Sequence, residues 1–359
     1  MDPLTHTLVG ASLSATRLTN RTRGAAAALV LGANLPDIDV LSYFAGSDMA
    51  LGFRRGWTHG LPALAVLPIL LAVTIRIWAH FSGRTGQRPV STRWLVALSY
   101  LAIVTHPLLD WLNTYGMRWL APFRDTWFYG DSLFIVDPWL WLALGSGWLL
   151  GRKPTRALVG TVALVGALLM SLTALAVPTY IPIVIFVFLF LMAAALYFSS
   201  SFSPHRIALR GLTVALVYIA AMLVLHGLTE WRVDDELNDV GLAAQELMVG
   251  PRPANPLAWE FVARVGNEYR FGQFDWFGGS LETSPRALPA AAHQPEWTTL
   301  QKTSSVAGFR RWARFPWLEV EPTAKGRRVF LMDARYRRER TTGFGGTDVE
   351  LPTTTDTDR

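Results

Sequence analysis

Six ionisable side chains stand where an apolar chain has little reason to keep them. His6, Asp37, Asp39, His59, His106 and Asp110 lie in or at the ends of strongly apolar segments. A charged group at the centre of a bilayer costs roughly 2.5–3.5 kcal/mol on insertion scales, so apolar spans shed such groups unless function retains them. Imidazole and carboxylate together suit Zn²⁺ or a similar divalent ion. The chain has no cysteine, which excludes disulfides, thiolate metal sites and a cysteine nucleophile. His106 and Asp110 are four residues apart, share one helical face and can reach one ion. Pro107 between them permits a kink or a helix start. Pro36 biases Leu35 away from helix, which leaves Asp37 and Asp39 where a helix breaks. Two or more carboxylates with three imidazoles can hold two ions, and two ions roughly 3.5–4 Å apart clamp a phosphoryl group and activate water. Each piece alone has an ordinary explanation. Asp-x-Asp serves as a turn or helix cap, His-x-x-x-Asp arises by chance, and His59 follows an interfacial anchor, Trp57. The six together outweigh those explanations.

The elements that must position these residues are membrane helices. The chain has 359 residues, of which 51% are hydrophobic and 17% charged, against about 25% charged in soluble domains. Its mean hydropathy is +0.27. The charges avoid blocks of about 20 residues, enough for a helix to cross roughly 30 Å of hydrocarbon. Residues 4–16 are short for a span, and 24–45 are apolar but interrupted. Residues 61–81, 94–112, 132–150, 157–177, 181–199 and 211–229 read as spans, with a Trp- and Tyr-rich connection over 113–131 and a tight turn at 178–182. From residue 230 Gly, Pro, Trp and Arg rise, and 268–274, 317–320 and 329–333 read as short strands. The expected architecture is an all-α polytopic membrane bundle of about seven to eight helices with a small C-terminal α+β or mostly β soluble domain. The expected division is a membrane-embedded site domain (1–150), additional transmembrane helices (151–229) and an extracytoplasmic soluble domain (230–359) whose last residues, 351–359, form a disordered tail.

Folding the chain back and forth puts Arg17, Arg21, Arg23, Arg84, Arg88, Arg93, Arg152, Lys153, Arg156, Arg206 and Arg210 on one side. The opposite short connections hold Arg54, Arg55, Arg118 and Arg124. By the positive-inside rule the first side is cytoplasmic and the C-terminal domain lies outside. All six chemistry-bearing residues then fall toward the outer side. Asp131 and Asp137 flank the outer start of the next span, and His226 reaches the outer depth in the last. His80 reads as interfacial, and no role attaches to His205 or His293. The net charge of +6 and pI near 9.8 suit arginines facing anionic lipid and cytoplasm. No RNP, zinc-finger or helix-turn-helix signature supports nucleic-acid binding, and none is expected. No cleavable signal peptide is evident. Nor is a Gly-x-Ser-x-Gly elbow, a phosphate loop or a His-Glu-x-x-His helix.

Met-Asp-Pro-Leu-Thr-His-Thr-Leu-Val-Gly (1–10), Gly-Ala-Asn-Leu-Pro-Asp-Ile-Asp (32–39), Arg-Arg-Gly-Trp-Thr-His-Gly (54–60) and Thr-His-Pro-Leu-Leu-Asp (105–110) occur in that order. Over roughly residues 1–150 the chain resembles the YdjM-type inner-membrane family of metal-dependent hydrolases. That family is also described as LexA-binding, and is distantly similar to the zinc-dependent phospholipase C and P1 nuclease group. The resemblance implies that His6, Asp37, His59, His106 and Asp110 are metal ligands and that Asp39 matches the second acid of the family's Asp-x-Asp. The chain departs from the pattern at Gly60, where the family commonly has Ser. The later His-x-x-x-Glu pair of the phospholipases is not evident either; the alternatives are that Asp131 or Asp137 substitutes or that a metal is missing from the family's three-metal centre. The N-terminal amine that secreted relatives use as a ligand is not expected to serve, because no signal peptide is cut.

The expected function is a membrane-bound metal-dependent hydrolase at the outer face of a bacterial inner membrane. It would use one or two Zn²⁺ or other divalent ions on a phosphoester or lipid-like substrate, with membrane lipid as its partner. Asp39 or Asp37 would be the general base. Arg54 and Arg55 would either hold an anionic headgroup or snorkel to the interface. The rival readings are a transporter, with the His and Asp set as an ion or proton path, and a scaffold with a vestigial metal site. The LexA-binding label fits poorly with an outer domain, which a cytoplasmic repressor cannot reach.

Overall fold

A computed structural model of the chain describes residues 1–82, 88–150, 203–324, 326–340 and 342–352. The expected spans at 157–177 and 181–199, with the turn at 178–182, lie outside the described residues.

The first helix, α1 (Pro3–Ser14), starts where Asp2 accepts the Leu4 and Thr5 N–H groups and Pro3 sets the first turn. The second, α2 (Ala25–Gly32), gives way to a 3₁₀ helix over Leu35–Ala45, broken just ahead of Pro36 as the sequence suggests. Then come α3 (Ser47–Phe53), α4 (Leu61–Phe81), α5 (Thr92–Trp111), α6 (Pro138–Leu149) and α7 (Pro204–Asp239). Among the described residues, α4, α5 and α7 are long and apolar enough to cross a membrane, and a fourth span exists if the bent pair Ala25–Gly32 and Leu35–Ala45 is one. Three to four spans are thus seen among the described residues, and two of the expected seven to eight helices lie outside them. Helix α1, expected to be short for a span, has 12 residues, and α6 has 12 where 132–150 reads as a span, about 18 Å each. Asp137 caps α6 and Pro138 occupies its first turn, so residues 132–137 stay outside the helix. Helix α7 instead overruns its expected end at 229 and continues to Asp239, for 36 residues in all.

The chain divides into two compact units. The first comprises Met1–Ile38, Arg55–His226 and Gly250–Pro256, and the second Asp39–Arg54, Gly227–Val249 and Leu257–Arg359. In the first, α2 lies buried between α4 and α5 through Ala28, Leu29, Leu71, Ala72, Leu98 and Ile103. Small residues let backbones approach, as membrane helix pairs require. A methyl on Gly32 would meet the Ala102 methyl at 2.9 Å, and one on Gly147 would meet Gly211 Cα at 2.9 Å. Large apolar side chains on α4 and α7, such as Ile69, Leu70, Val214 and Val217, face outward.

The second unit carries two antiparallel sheets. Strands β1 (Glu246–Arg252), β2 (Asn255–Val265), β3 (Glu268–Asp275) and β4 (Ser280–Thr283) pair in sequence order, and β5 (Leu288–Pro289) adds to β3. Short helices α8 (Glu296–Lys302) and α9 (Ala307–Trp312) precede the meander β6 (Pro316–Thr323), β7 (Gly326–Asp333) and β8 (Gly346–Pro352). The three segments read as strands from sequence fall in β3, β6 and β7. Val262, Tyr269, Phe271, Phe315, Trp317 and Met332 form a shared core. Burial there, with Asp333 and Glu246 nearby, raises the pKa of the Tyr269 hydroxyl. The expected tail needs correction at its start. Leu351 and Pro352 belong to β8, paired with Arg327 and Gly326, while 353–359 lie outside the described residues.

Candidate metal centre

Helix α5 supplies two of the groups. His106 and Asp110 sit one turn apart on its buried face. The imidazole is oriented from outside its own helix, because His106 Nδ1 lies 2.7 Å from the Ala33 carbonyl at the end of α2. A carbonyl accepts and cannot donate, so Nδ1 carries a proton and Nε2 is the ring atom turned toward the other groups.

His59 comes from a tight turn in which the Gly60 N–H donates to Gly56 O at 2.7 Å. A methyl on Gly60 would meet the Ala121 carbonyl at 2.4 Å, and one on Gly56 would meet the Arg118 guanidinium at 2.7 Å. The glycine that departs from the family's usual serine therefore sits where this chain has no room for a Cβ. Thr58 Oγ1 lies 2.9 Å from His59 Nδ1, which leaves His59 Nε2 directed inward. Asp37 arrives on the first turn of the 3₁₀ helix, where its N–H donates to Asn34 O.

Four ligand atoms, one each from Asp37, His59, His106 and Asp110, lie within 4.8 Å of one another. His59 Nε2 is 3.1 Å from His106 Nε2. His59 Nε2 stands 3.3 Å from Asp110 Oδ2 and 4.0 Å from Asp37 Oδ1, and His106 Nε2 stands 3.6 Å and 3.7 Å from the same two oxygens. A tetrahedral Zn²⁺ with bonds of about 2.0–2.2 Å needs ligand atoms about 3.3–3.6 Å apart. The measured separations straddle that range. The donor set is all nitrogen and oxygen, and it fits a divalent cation.

Asp110 is held from its other oxygen. Arg55 Nη2 meets Oδ1 at 3.1 Å, His6 Nε2 meets it at 3.3 Å, and the Met1 amine lies against it too. Arg55 is 5% exposed; its Nη1 reaches Asn113 Oδ1 at 2.9 Å and Gly116 O at 3.2 Å, and its guanidinium lies over the Tyr115 ring. This corrects both sequence readings of Arg55. It neither snorkels nor offers its charge at the surface; it fixes a ligand carboxylate. His6 stacks on His106 with ring centroids 3.6 Å apart, so it borders the four-residue group without belonging to it. The Met1 amine, set aside in the sequence reading, is brought to Asp110.

Three other expectations change. Asp39 is outside the four-residue group and pairs with Arg54 at 3.3 Å. Asp137 does not substitute for a missing ligand. It caps α6 through the Trp139 and Leu140 N–H groups and accepts the Tyr218 hydroxyl at 2.8 Å. Asp131, in a left-handed backbone conformation with φ of 44°, is also outside the group. The sequence reading missed Arg55's inward role, Asn113 and the Ala33 carbonyl. A backbone carbonyl carries no sequence signal at all.

These features define a helical membrane protein that carries a buried His/Asp group able to hold a metal ion. The family model described as YdjM inner membrane protein matches residues 1–180, half of the chain, and the chain belongs to that family. Among curated proteins, the uncharacterized protein YfhP of Bacillus subtilis (strain 168) is 25% identical over 165 residues, which is 43% of this chain. The chain spans about half of that relative's length (48%). No solved structure matches it.

Proposed function

We propose that this chain is a membrane-bound metal-dependent hydrolase of phosphoester or lipid-like substrates, working at the outer face of the inner membrane. The observation that carries the reading is the set of Asp37, His59, His106 and Asp110, four donors within 4.8 Å of one another. A bound divalent ion supplies Lewis acidity toward a phosphoryl or acyl oxygen and acidifies water toward neutral pH.

The chain's own residues do the rest. His59 and His106 offer Nε2, and Asp110 offers Oδ2 while Arg55 and His6 hold its Oδ1. Asp37, with 19% of its side chain exposed, is the group nearest to solvent. Its carboxylate is the group placed to accept the proton of the attacking water as general base. Asp39, engaged by Arg54, is the weaker candidate for that role. Of the two arginines considered for an anionic headgroup, Arg54 remains. Its side chain is 21% exposed while paired with Asp39. Ile38, next to Asp37, is 51% exposed and Trp57, two residues before His59, is 56% exposed. Apolar side chains flanking two ligands favour a substrate that approaches from the hydrocarbon boundary. One ion accounts for the four donors.

The test is metal content and turnover of the purified chain in detergent. Close to stoichiometric Zn²⁺ or another divalent ion is expected, with hydrolysis of bis(p-nitrophenyl) phosphate or a fluorogenic phospholipid. Both should be lost in His106→Ala. Ion flux in proteoliposomes without consumption of any ester would instead establish the transporter reading. For the orientation, a cysteine placed by Ser280→Cys should react with an impermeant maleimide on intact cells. Labelling only after lysis would put the C-terminal domain inside.

A further inference from the structure

Between two of the proposed ligands the chain changes partners. Asp37 belongs to the first compact unit and so does His59, but Asp39–Arg54 packs with the C-terminal sheets in the second. The seat is specific. The Asp48 carboxylate of α3 accepts the Gly308 N–H at 2.9 Å and the Phe309 N–H at 2.8 Å. These are N–H groups that a helix start such as that of α9 leaves without an intrahelical partner. A methyl on Gly308 would meet the Asp48 carbonyl at 1.8 Å, and one on Gly52 would meet Gly308 Cα at 3.1 Å. Both are backbone contacts that cannot give way cheaply. Arg311 Nη1 also donates to Gly52 O at 3.3 Å. At the base of the loop, Arg54 closes on the buried Asp39 carboxylate.

We infer that the C-terminal domain is a positioning module for the metal centre, gripping the loop that joins Asp37 to His59, with Asp48 as the positioning residue. The inference rests on the metal-centre reading above. His106 and Asp110 are fixed by α5 and need no such help. Asp37 stands near the start of the 3₁₀ helix Leu35–Ala45, whose residues from Asp39 onward belong to the second unit, and its side chain is the most exposed of the four. The tether at Asp48 lies just past the far end of that 3₁₀ helix. Holding that end leaves fewer conformations in which Asp37 misses the ion.

The experiment uses the full chain in detergent, with Zn²⁺ affinity read by chelator competition and hydrogen exchange read over residues 39–54. Asp48→Ala should speed exchange across Ser47–Phe53 and weaken Zn²⁺ by about tenfold or more, the range in which outer partners of metal ligands act. Asp48→Asn, which keeps one acceptor, should recover part of that loss. Placed in an Asp37→Ala background, Asp48→Ala should weaken Zn²⁺ no further, because its effect passes through Asp37. General destabilisation would instead add to the Asp37→Ala loss. Phe277→Ser, at a residue 79% exposed elsewhere in the domain, should change nothing. Faster loop exchange with unchanged Zn²⁺ affinity, unchanged exchange, or an additive loss in the Asp37→Ala background would each overturn the inference. A wild-type chain that binds no Zn²⁺ would overturn the metal-centre reading itself, and this inference with it.

Discussion

The candidate metal centre is assembled from two unlike halves. His106 and Asp110 stand on one continuous helix, buried, with their second atoms occupied by Ala33 O, Arg55 and His6. Asp37 and His59 stand at the two ends of a connection whose middle belongs to another packing unit. The helical half is preorganised by its own secondary structure, since residues four apart meet on one face. The loop half depends on tight backbone approaches, at Gly56 and Gly60, and on where the connection is tied. The difference predicts that lesions in the helical half harm folding and metal together. Lesions in the loop half should harm metal and turnover while the fold survives.

The largest effect should follow Asp110→Ala. It removes a ligand and leaves the Arg55 guanidinium buried without its carboxylate, and removing one partner of a buried pair costs about 3–5 kcal/mol. The expected result is loss of bound metal together with a clear fall in thermal or denaturant stability. A stable, metal-free Asp110→Ala protein would show that Arg55 finds enough in Asn113, Gly116 and Tyr115, and that the helical half is less coupled than its geometry implies.

Arg55→Lys comes next. Lysine keeps the charge but not the planar fork that reaches Asp110, Asn113 and Gly116 together. Metal affinity should fall about 10- to 100-fold while the helical content by circular dichroism stays near wild type. Unchanged affinity would mean that Asp110 needs only a nearby positive charge, and the Met1 amine would then suffice.

Much of this centre is legible in the sequence because apolar surroundings make polar residues conspicuous. His106 and Asp110 announce themselves by their spacing, and Asp37 by its place after Pro36. Other features are hidden for physical reasons. Asp39 looks like a twin of Asp37, but in a 3₁₀ helix with three residues per turn, side chains two apart point in different directions. It turns instead to Arg54. Arg54 and Arg55 are adjacent and identical in type, and nothing in the sequence says which is buried. Asp137 could have been read as a cap, since Asp before Pro is a helix-start signal. Counting spans failed at 132–150 because hydropathy does not see that cap. The sheets of the second unit were legible only as short β-branched and aromatic stretches. Their pairing order rests on turns and register that single segments do not encode.

The smallest structural effect is expected from Asp37→Asn, and it separates the two halves most cleanly. The substitution preserves shape and hydrogen-bonding capacity at a side chain 19% exposed, so stability should shift by no more than about 0.5 kcal/mol. The other three donors stay in place, and the ion should still bind, more weakly. An amide oxygen is a poorer donor than a carboxylate, and it does not accept a proton from water, so turnover should fall by about 10²–10⁴, the span attributed to general acid–base groups. The paired readout is decisive. Loss of turnover with metal retained makes Asp37 the base as well as a ligand. Loss of metal with proportional loss of turnover makes it a ligand alone. Full activity would place the catalytic carboxylate elsewhere and leave Asp37 as a bystander at the loop's mouth.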